Sequence, residues 1–200
     1  MTTIWVVRHG RTEMNASGAI IGQLDPNLDE LGMAQAAAAA DFLLDQGARV
    51  RIFSSDLARA RQSAEQIGLE LDVPVESDPR LREAYFGTLE GLPIASAIES
   101  GVWAERRHAM YEFRPSGGES YLEVERRLRE FLEEKACLAT DSILVTHIGP
   151  IRVLLVILGV IAARDVGGVA VTNGACLKFV GTTGAWRVTV PLGTFIKDDL

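Results

Sequence analysis

The sequence is short of several things, and each shortage narrows what the protein does. It holds only two cysteines in 200 residues. Cys137 and Cys176 are far apart and no CxxC occurs, which excludes a disulfide framework and a thiolate metal site and fits a reduced, cytoplasmic setting. No long apolar run is present. The longest, Val153 to Ala163, is held between Arg152 and Arg164 and falls well short of the ~20 residues that cross a bilayer. Met1 to Val7 runs straight into Arg8, so no secretory leader is expected. Positive charge is scarce: 20 Lys and Arg stand against 27 Asp and Glu, a formal net charge of −7. That balance argues against nucleic-acid or membrane-surface partners, yet leaves an anionic small-molecule substrate open because the field of a pocket is local. Lysine is scarcer still, with Lys135, Lys178 and Lys197 the only ones, so the basic residues are almost all arginine.

What the chain does have is core material. Apolar residues make up 48%, enough for a packed interior without staples. At about 150 residues per domain the expectation is one domain over 1–200, with a small cap insert at about 92–117. Thr3 to Val7 reads as a buried strand that stops abruptly at Arg8-His9-Gly10. Asp29 reads as the N-cap of a helix to about Gln46, with Leu31, Ala34, Ala38 and Phe42 on its buried stripe and Gly47 as its stop. Val50 to Phe53 is a second strand, and Ser54-Ser55-Asp56 offers capping groups for a helix over about Leu57–Leu69. Val73 to Glu76 suits a short strand. Patterning weakens from Leu92 to Pro115, until Ser120 and Glu123 form a capping box for a helix to about Lys135. Ile143 to Thr146 is another strand, and Pro150 suits the first position of a helix to about Leu158. Val169–Val171, Leu177–Val180 and Trp186–Val190 complete the strands. This alternation predicts an α/β fold, a three-layer sandwich with a mostly parallel central sheet flanked by helices. Ligands of such sheets bind beyond the carboxyl ends of the strands.

Those ends carry the chemistry. His9 and His147 each follow a strand directly, and Arg8, Arg11 and Arg59 are placed to reach the same cleft. Arg59 falls in the first turn of its helix, near free N–H groups and the positive end of the dipole. Guanidinium groups grip tetrahedral oxyanions in pairs of hydrogen bonds. Neither GxxxxGK[ST] nor a GxGxxG after a strand is present, so side chains must hold any phosphate. No metal site is expected, because His9 to Glu13 is the one near candidate and it sits alone in a loop.

The run Val6-Val7-Arg8-His9-Gly10-Arg11-Thr12-Glu13-Met14-Asn15 resembles the RHG signature of the histidine phosphatase superfamily, in its phosphoglycerate-mutase-like branch. Further segments are similar to the family in order and spacing: Asp25 to Gly32, Ser54 to Ala60 with Gln62-Ser63-Ala64, Leu81 to Gly87 with Glu90-Gly91, Gly117 to Ser120, and Val145 to Gly149 with Ile151-Arg152. The resemblance implies His9 as the nucleophile that takes the phosphoryl group. It implies Arg8, Arg59 and His147 as its binders, with Asn15 assisting, and Glu83 as the proton donor to the leaving oxygen and the base for water. Attack needs a neutral imidazole, which nearby cations favour, and a backbone carbonyl on its other nitrogen would fix the tautomer. Glu90 is a rival to Glu83, since both sit in a loop among apolar residues. Thr12 reads as a turn or phosphate-adjacent hydroxyl, and Arg11, Gly22 and Gln23 either touch substrate or face solvent. Arg152 is expected to brace the site from behind, and Glu119 to help cap a helix.

The implied activity is a phosphomonoesterase acting on a small phosphorylated metabolite through a phosphohistidine, with no cofactor. A cofactor-dependent phosphoglycerate mutase is the alternative, disfavoured by a short insert and a short acidic tail over Thr194–Leu200, since a mutase must exclude water under a larger lid. A non-catalytic phospho-ligand-binding protein would have lost His9 or Glu83, and a flavodoxin-like regulatory domain leaves the Arg and His set unexplained. Trp103, Arg106, Arg107, His108, Tyr111 and Arg114 lie in the capping segment and suit selection of the non-phosphate part, though Trp103 and Tyr111 equally suit cap core. Phosphorylated sugars, phosphoglycerates, phosphoserine and the nucleotide-loop phosphate of cobalamin synthesis are the substrates that the resemblance offers. A homodimer is compatible with the sequence.

Overall fold

The computed structural model describes residues 1–200 except 49, 103, 105, 107, 108, 138, 183, 184, 194 and 198–200. Its first strand, β1 (Thr2–Arg8), sends alternate side chains to opposite faces, as a strand must. Ile4 and Val6 join one apolar cluster with Leu144, Leu177 and Phe179. Trp5 and Val7 join another with Ile143, Val145 and Cys176. A strand apolar on both faces belongs inside a sheet, and β1 lies there. With β2 (Arg51–Ser54), β3 (Val75–Ser77), β4 (Ser142–Thr146), β6 (Cys176–Thr182) and β7 (Ala185–Leu192), it forms a six-stranded sheet in the order β3-β2-β4-β1-β6-β7. Helices α2 (Glu30–Asp45) and α3 (Ala58–Leu71) cover the Trp5 face. Helices α5 (Tyr121–Glu134) and α6 (Ile148–Ile157) cover the Ile4 face. The expected α/β sandwich is therefore present. Two short helices, α1 (Glu13–Ala16) and α4 (Ile94–Glu99), lie in the connections.

The sheet is more mixed than the alternation of elements implied. Pairings β3/β2, β2/β4 and β4/β1 are parallel, while β1/β6 and β6/β7 are antiparallel. Antiparallel neighbours need no crossover helix, so the end of the chain adds to the β1 edge without covering layers of its own. The strand foreseen at 169–171, β5 (Val169–Val171), stays out of this sheet and pairs antiparallel with β8 (Phe195–Lys197), a strand the sequence did not announce. Among the described residues no helix is long and apolar enough to cross a membrane.

Three local readings need correction. The buried face of α2 is Gly32, Ala36, Ala39, Ala40 and Leu43, and Leu31 is 45% exposed. The alanine run carries no phase of its own, so the packing of Gly32 sets it. A Cβ at Gly32 would stand 2.0 Å from the carbonyl oxygen of Arg11, and one at Gly10 would stand 2.2 Å from that of Gly32. Helix α3 takes no cap from Ser54, Ser55 or Asp56; the side chain of Asp25 accepts from the Ala58 N–H at 2.6 Å instead. Helix α6 begins at Ile148 behind an N-cap at His147, so Pro150 is its third residue, where the N–H would still lack an intrahelical partner. The capping box of α5 is as expected: Ser120 Oγ accepts from the Glu123 N–H, and Glu123 accepts from the Ser120 N–H. The close contact of Gly32 with the loop after β1 generates a test. Gly32→Ala forces two backbones apart at a cost of about 1–3 kcal/mol, which lowers Tm by roughly 2–12 °C for a chain of this length. A thermal scan that leaves Tm unmoved would show the contact to be softer than its distances imply.

Candidate active site

The register of the central pair brings the two histidines together. Arg8 of β1 lies opposite Thr146 of β4, and the His9 N–H donates to the Thr146 carbonyl at 3.0 Å. The next residues, His9 and His147, therefore stand side by side with ring centroids 4.9 Å apart. Both are buried. His9 Nδ1 lies 2.7 Å from its neighbour's carbonyl, Gly10 O, which can only accept, so the ring proton sits on Nδ1 and Nε2 keeps its lone pair. The guanidinium of Arg59 meets that lone pair, with Nε 3.2 Å from His9 Nε2. Burial pushes the His9 pKa well below its ordinary value, and the charges of Arg59 and Arg8 push it further down. The same causes hold for His147, burial first and Arg59 next. Its Nε2 lies 2.9 Å from Ser55 Oγ, which also accepts from the Leu57 N–H. A hydroxyl proton given by Ser55 to His147 Nε2 would put the imidazole proton on Nδ1.

Arg59, the second residue of α3, is 1% exposed and fixed by main-chain acceptors. Its Nη1 and Nη2 donate to Leu24 O and Gly22 O, each at 2.7 Å. Arg8 donates through Nη1 to Val171 O. Burial lowers both guanidinium pKa values to about 10, against the opposing pull of Glu83. Both stay charged at neutral pH. Two buried nitrogens here, Arg8 Nε and His147 Nδ1, have no hydrogen-bond partner among the described residues. Leaving a buried donor unsatisfied costs about 1–3 kcal/mol, so an anionic ligand with several acceptors suits this place.

A cavity of about 250 Å³ opens on these groups, lined by Arg8, His9, Asn15, Arg59 and Glu83 among others. Glu83 is buried at the start of α6, where Oε1 accepts from the Gly149 N–H at 3.1 Å and the Ala84 N–H at 2.8 Å. Its rival Glu90 serves a different purpose, because its Oε1 accepts from the N–H groups of Gln23 and Phe86 and ties two loops together. A Cβ at Gly22 would stand 1.8 Å from that oxygen, and Gly22 has φ +55°, so glycine is needed there on both counts.

Not every expected residue arrives. Thr12 is the N-cap of α1, its Oγ1 accepting from the Asn15 N–H, and does not line the cavity. Gln23 is likewise absent from the wall: its amide donates to Glu83 O at 3.1 Å and braces that residue's backbone. Arg11 pairs with Asp29 at 2.8 Å instead of turning inward. Asn15 lines the cavity, with Oδ1 occupied by Thr12 and its amide nitrogen left to donate. Gly22 lines it with the carbonyl that holds Arg59. Arg152 stands in the wall, not behind it. Within the capping segment, Arg106 lines the cavity, Tyr111 packs edge-on against Tyr121 as cap core, and Arg114 clamps Gly118 and Glu123. Trp103, Arg107 and His108, like Thr194 and 198–200 of the tail, lie outside the described residues. Residues that sequence reasoning missed include Asn173, which donates to His9 O at 3.1 Å, and Arg127, which donates to Arg80 O and Glu83 O. Neither carries a local signal. Glu119, read as a capping residue, pairs with Arg127 at 3.3 Å.

Neutral buried imidazoles make stability depend on pH. The unfolded chain takes up imidazole protons near pH 6.5 and the folded chain only well below it. Between those values the unfolded state binds more protons, so stability falls as pH drops below about 6.5 and is flat above it. Tm should therefore decline from pH 7 to pH 5, with a shallower slope in His147→Gln; equal slopes would contradict the neutral imidazole.

A family profile described as the histidine phosphatase superfamily (branch 1) matches residues 4–191. The chain is 35% identical over 162 residues to a metal-independent phosphoserine phosphatase of Arabidopsis thaliana, covering 77% of this chain and 67% of that one. It is 37% identical over 151 residues to a protein of Yersinia pestis named as a probable phosphoglycerate mutase, covering 74% and 70%. It spans 43% of the length of three longer mycobacterial relatives. Among solved structures, a mycobacterial glucosyl-3-phosphoglycerate phosphatase complexed with VO3 superposes with a TM-score of 0.88 at 30% identity, over 97% of this chain and all of that one. The chain thus belongs to branch 1 of the histidine phosphatase superfamily and is a phosphatase of that family.

Proposed function

We propose that the protein hydrolyses a small phosphomonoester through a phosphohistidine on His9, with water as the final acceptor, and that it does so in the cytoplasm. The observation that carries this reading is the His9 imidazole: buried, neutral, fixed in one tautomer by Gly10 O and presenting Nε2 beside Arg59. In the first step Nε2 attacks phosphorus, the P–O ester bond breaks, and the Glu83 carboxyl gives its proton to the leaving oxygen. Arg8, Arg59, His147 and Asn15 hold the three remaining phosphoryl oxygens. In the second step the Glu83 carboxylate takes a proton from water, the water oxygen attacks phosphorus, and the P–N bond breaks to release phosphate and neutral His9. Phosphoryl transfer is chiefly positioning and charge stabilisation, which suits a site rich in guanidinium groups. The partner is a small molecule, in keeping with the net charge of −7. Two buried free thiols, Cys137 and Cys176, support the reducing compartment.

His9→Ala should abolish phosphate release, and acid-sensitive radiolabel from a 32P-labelled substrate should appear on His9 of the wild type after a rapid quench. Failure to trap any such adduct under single-turnover conditions would sink the mechanism. With 3-phosphoglycerate, phosphate should form without a bisphosphate primer; isomerisation in its place would make the chain a mutase. Glu83→Gln should lower kcat by about 10²- to 10⁴-fold for alkyl phosphates, the usual worth of a general acid. For 4-nitrophenyl phosphate, whose leaving group departs without a proton, the loss should be far smaller. Equal losses for both would take the acid role from Glu83.

A further inference from the structure

The wall of the cavity carries more positive charge than a phosphoryl group requires. Arg8 and Arg59 flank His9, and Arg106 and Arg152 line the same space of about 250 Å³. Arg152 is oriented by the main chain: Nε and Nη2 donate to Val169 O at 2.9 and 2.6 Å, and Nη1 points to Tyr121 Oη at 3.4 Å. No carboxylate pairs with the half-buried Arg152 among the described residues. Arg106 converges on the same phenol, with Nη2 3.1 Å from Tyr121 Oη. Its guanidinium lies over the rings of Phe86 and Tyr121, 5.2 and 5.3 Å from their centroids. Tyr121 is itself buried, and its hydroxyl, which accepts from both arginines, shows no acceptor for its own proton among the described residues. Cations gathered on a phenol oxygen, with that phenol's proton unspent, make a site for an anion.

We propose that Arg152, Tyr121 and Arg106 form a carboxylate-reading subsite, so that the preferred phosphomonoester bears a carboxylate near its phosphorylated oxygen. The inference rests on the phosphatase reading above and names its substrate class. A planar two-oxygen acceptor matches the fork of Arg152 and the single proton of Tyr121. A phosphoryl group and a short carbon chain fit within the cavity of about 250 Å³. Ile20, Ile21, Ile94, Ile148 and Phe86 form an apolar part of the wall, whose side chains offer nothing to the hydroxyls of a sugar and lower the local dielectric. That apolar setting strengthens a charged hydrogen bond.

The matched probes are 3-phosphoglycerate and glycerol 3-phosphate, which share a three-carbon skeleton and differ by a carboxylate in place of a hydroxymethyl group. Wild-type kcat/KM should favour 3-phosphoglycerate on the order of 10- to 100-fold, the range that one or two charge-assisted hydrogen bonds sustain. Tyr121→Phe, which keeps the ring and its packing, should cut this ratio several-fold through KM for 3-phosphoglycerate, and Arg152→Gln should bring it near one. A wild-type ratio near one overturns the proposal. So do variants that slow both substrates equally, the result of a purely structural role. Calorimetric binding to His9→Ala reads the subsite without turnover: tighter binding of 3-phosphoglycerate supports it and equal affinities overturn it. Should the wild type release phosphate from neither probe nor from 4-nitrophenyl phosphate, the hydrolytic reading fails, and the binding arm still decides the subsite.

Discussion

Everything at the centre of this molecule depends on two imidazoles being kept uncharged. Parallel pairing of β1 with β4 sets His9 beside His147, and burial with two nearby guanidinium groups makes protonation of either ring costly. Had a carboxylate stood in place of Arg59, the same burial would favour an ion pair and the Nε2 lone pair would be lost. The cations thus have a double effect. They suit an anionic ligand, and they keep the proposed nucleophile in the one protonation state that can attack.

The loops around the cleft hold these groups at fixed distances. Glu90 ties the Gly22–Gln23 turn to the Phe86 backbone, Gln23 and Arg127 both grip the Glu83 carbonyl, and Asn173 reaches across to His9 O. These are polar contacts between segments far apart in the chain, and none touches the phosphoryl position. Their effect is to make the positions of His9, Arg59 and Glu83 interdependent. A shift of about 1 Å in such a loop is enough to cost a hundredfold in rate when catalysis is mostly positioning.

Much of this arrangement was legible in the sequence wherever one local signal sufficed. The apolar run into Arg8-His9 marked a strand end, the Ser120 and Glu123 pair marked a helix start, and six motif segments in order marked the family. The rest depended on tertiary packing. The Ala36–Ala40 run left the phase of α2 open until Gly32 met Arg11. The β8 strand acquires its identity only by pairing with β5. Thr12 and Gln23 looked like ligand groups because they adjoin a motif, yet their polar atoms are engaged within the protein, by the Asn15 N–H and side chain and by the Glu83 carbonyl. Tyr121 read as an ordinary helix residue and Arg152 as a brace behind the site, since nothing local says that their polar ends meet in a cavity.

The acceptors that orient the arginines are almost all main-chain carbonyls: Gly22 O and Leu24 O for Arg59, Val171 O for Arg8, Val169 O for Arg152. A carbonyl of this kind survives any point substitution at its own position. Evolution can therefore rewrite the exposed side chain of Leu24, and exchange the buried Val169 or Val171 for other apolar residues, without unfastening the cations. An insertion or deletion of a single residue in those stretches would move the oxygens themselves. Drift among homologues should accordingly trade one apolar side chain for another along these segments, keep the glycine at 22, and be strict in length.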